Sequence, residues 1–117
     1  MAEVLQNGLY AVQTKGLDGT DVAATGVVIL RDGVLMGGDS YFYYTGTYVC
    51  KDGRLKGEHL NRQHSPYLGK PLFFGGREVG FGFSGTYESD GAELYATALV
   101  GSRSVSVHVK MQKLADL

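Results

Sequence analysis

One eleven-residue pattern occurs three times, as TGVVILRDGVL at residues 25–35, TGTYVCKDGRL at 45–55 and SGTYESDGAEL at 84–94. Each copy begins with Thr or Ser followed by Gly, carries Asp-Gly near its middle and ends in Leu. Asp-Gly between β-rich runs is a strong hairpin signal, because a type I′ turn needs positive φ at both central residues. The repeat therefore predicts three β-hairpins.

The hairpin tips are predicted at Asp32-Gly33, Asp52-Gly53 and Asp90-Gly91. The glycine that opens each copy lies inside a strand, where a missing side chain marks a bulge, a bend or a close backbone approach. These glycines are Gly26, Gly46 and Gly85. The whole chain holds 18 glycines, 8 tyrosines and 5 phenylalanines but only 2 prolines. Such a composition favours twisted, aromatic-rich strands over helices.

The chain is predicted to form one all-β domain over residues 1–117. Eight strands are predicted, at 8–14, 25–31, 34–37, 41–50, 54–62, 80–88, 92–100 and 104–113. Residues 65–76 hold both prolines and are predicted to be an irregular or short helical connection, and Gly101-Ser102 the last turn. In up-and-down order, eight antiparallel strands close into a small lipocalin-like barrel, filled by side chains or holding one small ligand.

The charge balance excludes some partners. Eleven basic and twelve acidic side chains leave a net charge of -1, and like charges form no block that would bind a polyanion. The first residues lack the basic and apolar regions of a secretory leader, and no apolar run is long enough to span a bilayer. We expect a soluble, cytoplasmic protein that binds neither nucleic acid nor a membrane.

Alternation of side chains predicts the two faces of the barrel wall. Inward-facing residues are predicted to be Val105, Val107, Val109, Met111, Phe81, Phe83, Tyr87, Val28, Leu30, Phe42, Tyr44 and Tyr48. The outer face is also apolar at Val27, Ile29, Tyr41, Tyr43 and Val49. Contiguous apolar surface often marks an interaction site, which predicts a homodimer interface here. The alternative is that residues 65–76 cover this surface.

A small-molecule site is predicted inside the barrel, where Tyr44, Tyr48, Phe83 and Tyr87 would set phenol groups among apolar walls. The alternative for the same residues is that they fill the core. A continuous cavity lined by these four side chains would favour a ligand-binding protein, whereas a filled interior would favour a protein that binds other proteins.

The sequence gives little support to two kinds of reactive site. Cys50 needs a base such as His59 or His64 within hydrogen-bond reach to act as a nucleophile, and it aligns with ordinary strand positions of the other two copies. The histidines, His59, His64 and His108, show no metal-site spacing and are better interpreted as surface or lumen-wall residues. We therefore expect no enzyme activity, no cofactor and no metal.

The order of these pieces resembles a known family. NGLYAV followed by TGVVILRDGVLMGGDSYFYYTGTY is similar to the GrlR-type negative regulators of type III secretion and to uncharacterised bacterial proteins related to them. The resemblance covers roughly the first half of the chain; the third copy and ALVGSRSVSV look more like the uncharacterised relatives. It implies a lipocalin-like eight-stranded barrel that dimerises and sequesters a transcriptional activator.

One loop departs from that family. Where the regulators expose an acidic Glu-Asp-Glu-Asp run that binds the activator, this chain has CKDG, with Asp52 between Lys51 and the glycine that precedes Arg54. Lys51, Asp52 and Arg54 are therefore candidates for a partner contact of different charge. The prediction is a binding or regulatory protein without catalytic activity, and the alternative is a barrel for a small apolar or amphipathic ligand.

Overall fold

The computed structural model describes residues 4–17, 23–65, 78–100 and 102–117. Within these ranges the chain forms eight strands, which are joined by turns and connections. The strands are β1 (Gly8–Gly16), β2 (Ala23–Arg31), β3 (Val34–Gly38), β4 (Phe42–Lys51), β5 (Arg54–Gln63), β6 (Val79–Glu88), β7 (Gly91–Val100) and β8 (Arg103–Asp116). Period-two alternation and Asp-Gly turns are local signals, and all eight strands were predicted to within three residues at each end.

The sheet is closed and antiparallel. Each strand pairs with the next along the chain, and β8 returns to pair with β1, from Gly8 opposite Asp116 to Gly16 opposite Val107. This confirms the predicted up-and-down, lipocalin-like barrel of eight strands. The connection predicted at 65–76 lies outside the described residues except for Ser65, and so does Gly101 of the predicted last turn.

Two of the three predicted hairpin tips are confirmed. Asp32 and Gly33 have φ of 49° and 84°, and Asp52 and Gly53 have φ of 51° and 79°. These angles are the left-handed pair that a type I′ turn requires.

The third tip was predicted one residue too far along the chain. Gly91 is the first residue of β7 and pairs with Glu88, so Ser89 and Asp90 form the tip, and neither has positive φ. Neighbouring segments hold this tip in place: the Ser89 carbonyl accepts the Gln6 N–H at 2.9 Å, and the Asp90 carbonyl accepts the Lys113 N–H at 2.8 Å.

Most of the predicted inward-facing residues form the core. Those that are buried are Val28, Leu30, Tyr48, Phe81, Phe83, Tyr87, Val105, Val107 and Met111, and Tyr44 and Val109 are partly buried against them. Phe42 is the exception, since it is only partly buried and is not part of this core. It begins β4 at the margin of the sheet, where its N–H donates to the Asp39 carboxylate at 2.8 Å.

Glycines on inward-facing positions let aromatic side chains cross from neighbouring strands. A Cβ on Gly46 would lie 2.1 Å from the Glu58 carbonyl oxygen and 2.7 Å from the Cβ of His59. A Cβ on Gly57 would lie 2.8 Å from the tip of the Phe83 ring. Gly46 therefore confirms the predicted close approach of backbone within the repeat.

Residues 4–7, which we call the N-terminal plug, close one end of the barrel. Leu5 is only 4% exposed and packs into the core. The Tyr10 hydroxyl donates to the Gln6 carbonyl at 2.6 Å, and the Asn7 side chain makes two hydrogen bonds of 3.0 Å with Asp32 at the β2–β3 tip. The end that carries the β2–β3, β4–β5 and β6–β7 tips is called the plugged end below.

Replacing Leu5 with alanine should lower the free energy of unfolding by about 2 kcal/mol, because the truncation removes buried apolar surface and leaves a cavity. Urea unfolding monitored by tyrosine fluorescence measures this change. Val4→Ala is the matched control, since Val4 is exposed and its truncation should change stability by less than about 0.5 kcal/mol. Equal, small effects of both changes would show that the plug does not contribute to the core.

Candidate functional site

An exposed apolar surface covers the outer wall at β2, β3 and β4. Its six large side chains, between 38% and 65% exposed, are Val27, Ile29, Val34, Met36, Tyr43 and Val49, and we call this set the outward face. Four of the five predicted interface residues belong to it. The fifth, Tyr41, lies before β4 and is partly buried in the β3–β4 connection, where its carbonyl accepts the His64 N–H at 2.8 Å.

The outward face is continuous across the strands, and basic side chains border it: Arg31 lies opposite Val34, Lys56 opposite Val49 and Arg62 opposite Tyr43. Ile29 lies opposite Met36, and Met36 lies opposite Thr45 on the next strand. In this described part of the wall, every outward position at 25–29, 34–38 and 43–49 is apolar, Thr or Gly. Apolar patches of several hundred Å² on a protein surface are often functional.

Three of the four predicted lumen residues are buried and the fourth, Tyr44, is partly buried against the core. Tyr48, Phe83 and Tyr87 are each 7–9% exposed and belong to the packed core. The backbone N–H of Tyr48 donates to the Gly33 carbonyl, and that of Tyr87 to the Gly53 carbonyl, so both residues lie toward the plugged end. Tyr48 and Tyr87 therefore pack in the core near the plugged end, while Tyr44 lies toward the opposite end.

Toward that opposite end, five inward-facing side chains form a cluster that we call the His59 group: Tyr44, His59, Asn61, Phe81 and Phe83. The His59 ring stacks on Phe81, with centroids 5.0 Å apart and planes 8° from parallel. The centroid of the Phe83 ring lies 5.7 Å from that of His59, with the two planes tilted, and the Tyr44 ring meets His59 edge-on with centroids 6.0 Å apart. The absence of a side chain on Gly46 gives the imidazole room to lie across β4.

Burial keeps His59 neutral. Desolvation of the charged form lowers the pKa of His59 from 6.5 to about 4. At neutral pH the ring therefore offers one N–H donor and one nitrogen acceptor. Asn61, two residues along on the same face, is a buried amide that adds donors and an acceptor.

Asp39 holds Tyr44 in place at the edge of this group. The Tyr44 hydroxyl donates to Oδ2 of Asp39, while Oδ1 accepts the backbone N–H groups of Tyr41 at 2.9 Å and Phe42 at 2.8 Å. Burial and this carboxylate raise the pKa of Tyr44, so its phenol stays protonated. Asp39 therefore shapes the β3–β4 turn and orients Tyr44 with the same carboxylate.

Cys50 and His59 do not form a catalytic pair. Cys50 lies opposite Leu55, whereas His59 lies opposite Gly46, four residues away along the same strand pair. At about 3.3 Å per residue this offset is about 13 Å, well beyond hydrogen-bond reach. Burial raises the pKa of the Cys50 thiol, which opposes formation of a thiolate.

The three histidines are not brought together. His64 contacts the Asp39 carbonyl at 2.9 Å, and His108 lies on the outer wall, 2.7 Å from the Glu93 carboxylate and 5.0 Å from the Tyr95 ring centroid. Among the residues that the structure describes, no cluster of His, Cys, Asp and Glu has the form of a metal site.

The predicted partner loop is exposed. Lys51, Asp52 and Arg54 all point into solvent at the β4–β5 tip. Two basic side chains and one acidic one leave this tip with a small positive charge. A partner that binds an acidic loop would find no such loop at this tip.

A half-open cleft of about 460 Å³ runs along the outer wall of β8. Its lining includes Gln13, Glu93 and Lys110, with Glu93 directly opposite Lys110 in the strand register. Glu88 and Asp90 line the cleft as well, so three carboxylates face one ammonium group and the cleft favours a cationic ligand over an anionic one.

Comparison with known proteins gives no family assignment. No protein-family model matches this chain, and no curated protein matches it. The resemblance to the GrlR-type regulators therefore stays a prediction from the sequence. In the described ranges, no helix has the length and hydropathy needed to cross a membrane.

Proposed function

We propose that this chain is a binding protein that holds a second copy of itself through the outward face of β2–β4. The observation that supports the proposal most is the set of six exposed apolar side chains on three neighbouring strands of the outer wall. Water leaves such surface when a partner covers it, which favours association by roughly 25 cal/mol per Å².

The chemistry of the outward face favours a like partner. The outward face consists of aliphatic side chains, a thioether and a phenol, and a second copy presents the same apolar chemistry to it. A two-fold axis lets each copy cover the other, and sheets pack face to face about 10 Å apart. Specific interfaces bury about 800 Å² per partner, so Thr25 and Thr47 at the margin would also be covered.

The closed sheet restricts how a partner can bind. Because β1 and β8 pair with each other, the described barrel has no free strand edge to which a partner could add a strand. Recognition must therefore use side chains, and the outward face is the largest apolar set among those described.

A regulatory role is the second part of the proposal. The resemblance to the GrlR-type regulators implies sequestration of a transcriptional activator, and a dimer would present two exposed β4–β5 tips to such a partner. The tip here carries Lys51, Asp52 and Arg54, so we expect its contact with a partner to involve a neutral or acidic surface.

Sedimentation velocity of the purified chain tests the dimer. The wild type should sediment as a dimer at micromolar concentration, and Ile29→Asp should sediment as a monomer, because a buried unpaired carboxylate weakens association at least a hundredfold. Leu99→Asp is the matched control on the opposite wall, where Leu99 is also exposed and apolar, and it should leave the dimer intact. A monomeric wild type at high micromolar concentration would refute the proposal.

A further inference from the structure

We propose that the His59 group binds one small, uncharged, flat heteroaromatic molecule, which packs against its rings and takes hydrogen bonds from His59 and Asn61 along one edge. This inference does not rest on the proposed dimer, because the His59 group faces the inside of the barrel and the outward face is on the other side of the wall.

The rings of the group favour a flat ligand. The rings of Phe81, Phe83 and Tyr44 have centroids 5.0–6.0 Å from that of His59, in stacked, tilted and edge-on arrangements. Aromatic pairs at these separations attract one another beyond simple area burial, and a planar ligand can continue the same packing. Although it faces inward, His59 is only partly buried, so solvent reaches part of this residue.

The polar groups favour a ligand edge that carries both a donor and an acceptor. His59 provides one of each, and the Asn61 amide, 5% exposed, provides both kinds on the same face of β5. No fully buried side-chain nitrogen or oxygen of the described residues lacks a hydrogen-bond partner, so solvent reaches any polar atom of these two side chains that makes no such bond. A ligand can replace that solvent and take its hydrogen bonds.

The charges favour an uncharged ligand. The acidic side chain that contacts the group is Asp39, which accepts the Tyr44 hydroxyl, and an acid at this position disfavours an anionic ligand. A cation gains little, because the Asp39 oxygens already accept hydrogen bonds from Tyr44, Tyr41 and Phe42. His59 stays neutral near pH 7, because burial lowers the pKa of its ring to about 4.

The packed core limits the size of the ligand. Toward the plugged end the interior is filled by Tyr10, Leu30 and Leu55, each at most 2% exposed, and Leu5 of the N-terminal plug closes that end. A long acyl chain has no room below the His59 group. The ligand must therefore be short, the size of one or two fused rings.

Calorimetry with three probes tests this assignment on the full chain. 2-Aminopurine is neutral, flat and has a donor and acceptor edge; naphthalene has the same shape without hydrogen bonds; benzoate is an anion. We expect 2-aminopurine to bind at least tenfold more tightly than either of the others and to shift the imidazole NMR signals of His59. His59→Phe keeps a stacked ring but removes both nitrogens, and should weaken 2-aminopurine binding about tenfold or more.

His108→Phe is the matched control, because it changes a ring on the outer wall that also packs against an aromatic side chain, Tyr95. It should bind 2-aminopurine as the wild type does. Equal affinity for naphthalene or benzoate would overturn the proposal, and so would 2-aminopurine leaving the His59 signals of the folded wild type unmoved. The NMR measurement uses the wild type alone and decides the question even if the His59 variant does not fold.

Discussion

Replacing Gly46 with alanine should lower the free energy of unfolding by about 3 kcal/mol, with a fall in Tm on the order of 10 °C. The new methyl carbon would sit 2.1 Å from the Glu58 carbonyl oxygen and 2.7 Å from the Cβ of His59. Both neighbours belong to β5, which pairs with β4 over ten residues, so the two strands cannot separate locally without losing ladder hydrogen bonds. Urea and thermal unfolding followed by circular dichroism measure the loss.

Gly82→Ala provides the matched control for that change. Gly82 lies inside β6, and a Cβ built on it meets no atom within 4 Å. Alanine there should leave stability unchanged or raise it by about 0.5 kcal/mol, because it restricts the unfolded chain without a clash. A Gly46→Ala protein as stable as Gly82→Ala would show that β4 and β5 do not approach as closely as described.

Lowering the pH should destabilise the protein through His59 by up to about 3 kcal/mol. The unfolded chain protonates this imidazole near pH 6.5, whereas desolvation holds the pKa of His59 in the folded protein at about 4. Between these values the unfolded state binds more protons, so the contribution of His59 is fully present above pH 6.5 and is lost as the pH falls to about 4. Urea unfolding at several pH values, for the wild type and His59→Phe, measures the difference.

The comparison between the two proteins has an internal control. Above pH 7 the imidazole is neutral in both states, so the difference in stability between wild type and His59→Phe should not change with pH there. An NMR titration gives a direct second measurement, with a midpoint for His59 near 4. A midpoint near 6.5 would contradict the burial of this ring.

The fold could be predicted because its signals are local. Asp32-Gly33 and Asp52-Gly53 fix two turns by backbone chemistry alone, and alternation of the kind seen at Val105, Val107 and Met111 then assigns each wall. The turn at Ser89 and Asp90 was misplaced because contacts from Gln6 and Lys113, far away in the chain, stabilise it. A sequence window around Asp90 contains no information about them.

The candidate sites were harder to predict for a related reason. The burial of Leu5 depends on the barrel end it closes, and nothing in its own neighbourhood alternates. For His59 and Asn61 the sequence does carry a signal of inward position, because every second residue after Leu55 faces the interior. The inward residues of β5 are nevertheless Leu, Gly, His and Asn, which lack the apolar pattern that marks a core strand. Polar residues on an inward face are where sequence reasoning fails and function is expected.

Pairing of β1 with β8 also determines how the chain must fold. Gly8 and Asp116 are directly opposite one another although almost the whole chain separates them. Hairpins can form early because their strands are adjacent in sequence. Pairing of β1 with β8 instead closes a loop that spans the domain, and its entropy cost is offset only after the other strands are in place. Until β1 and β8 pair, each exposes a row of unpaired backbone groups beside apolar side chains. The slowest step of folding is therefore also the step at which strands of two different chains could pair.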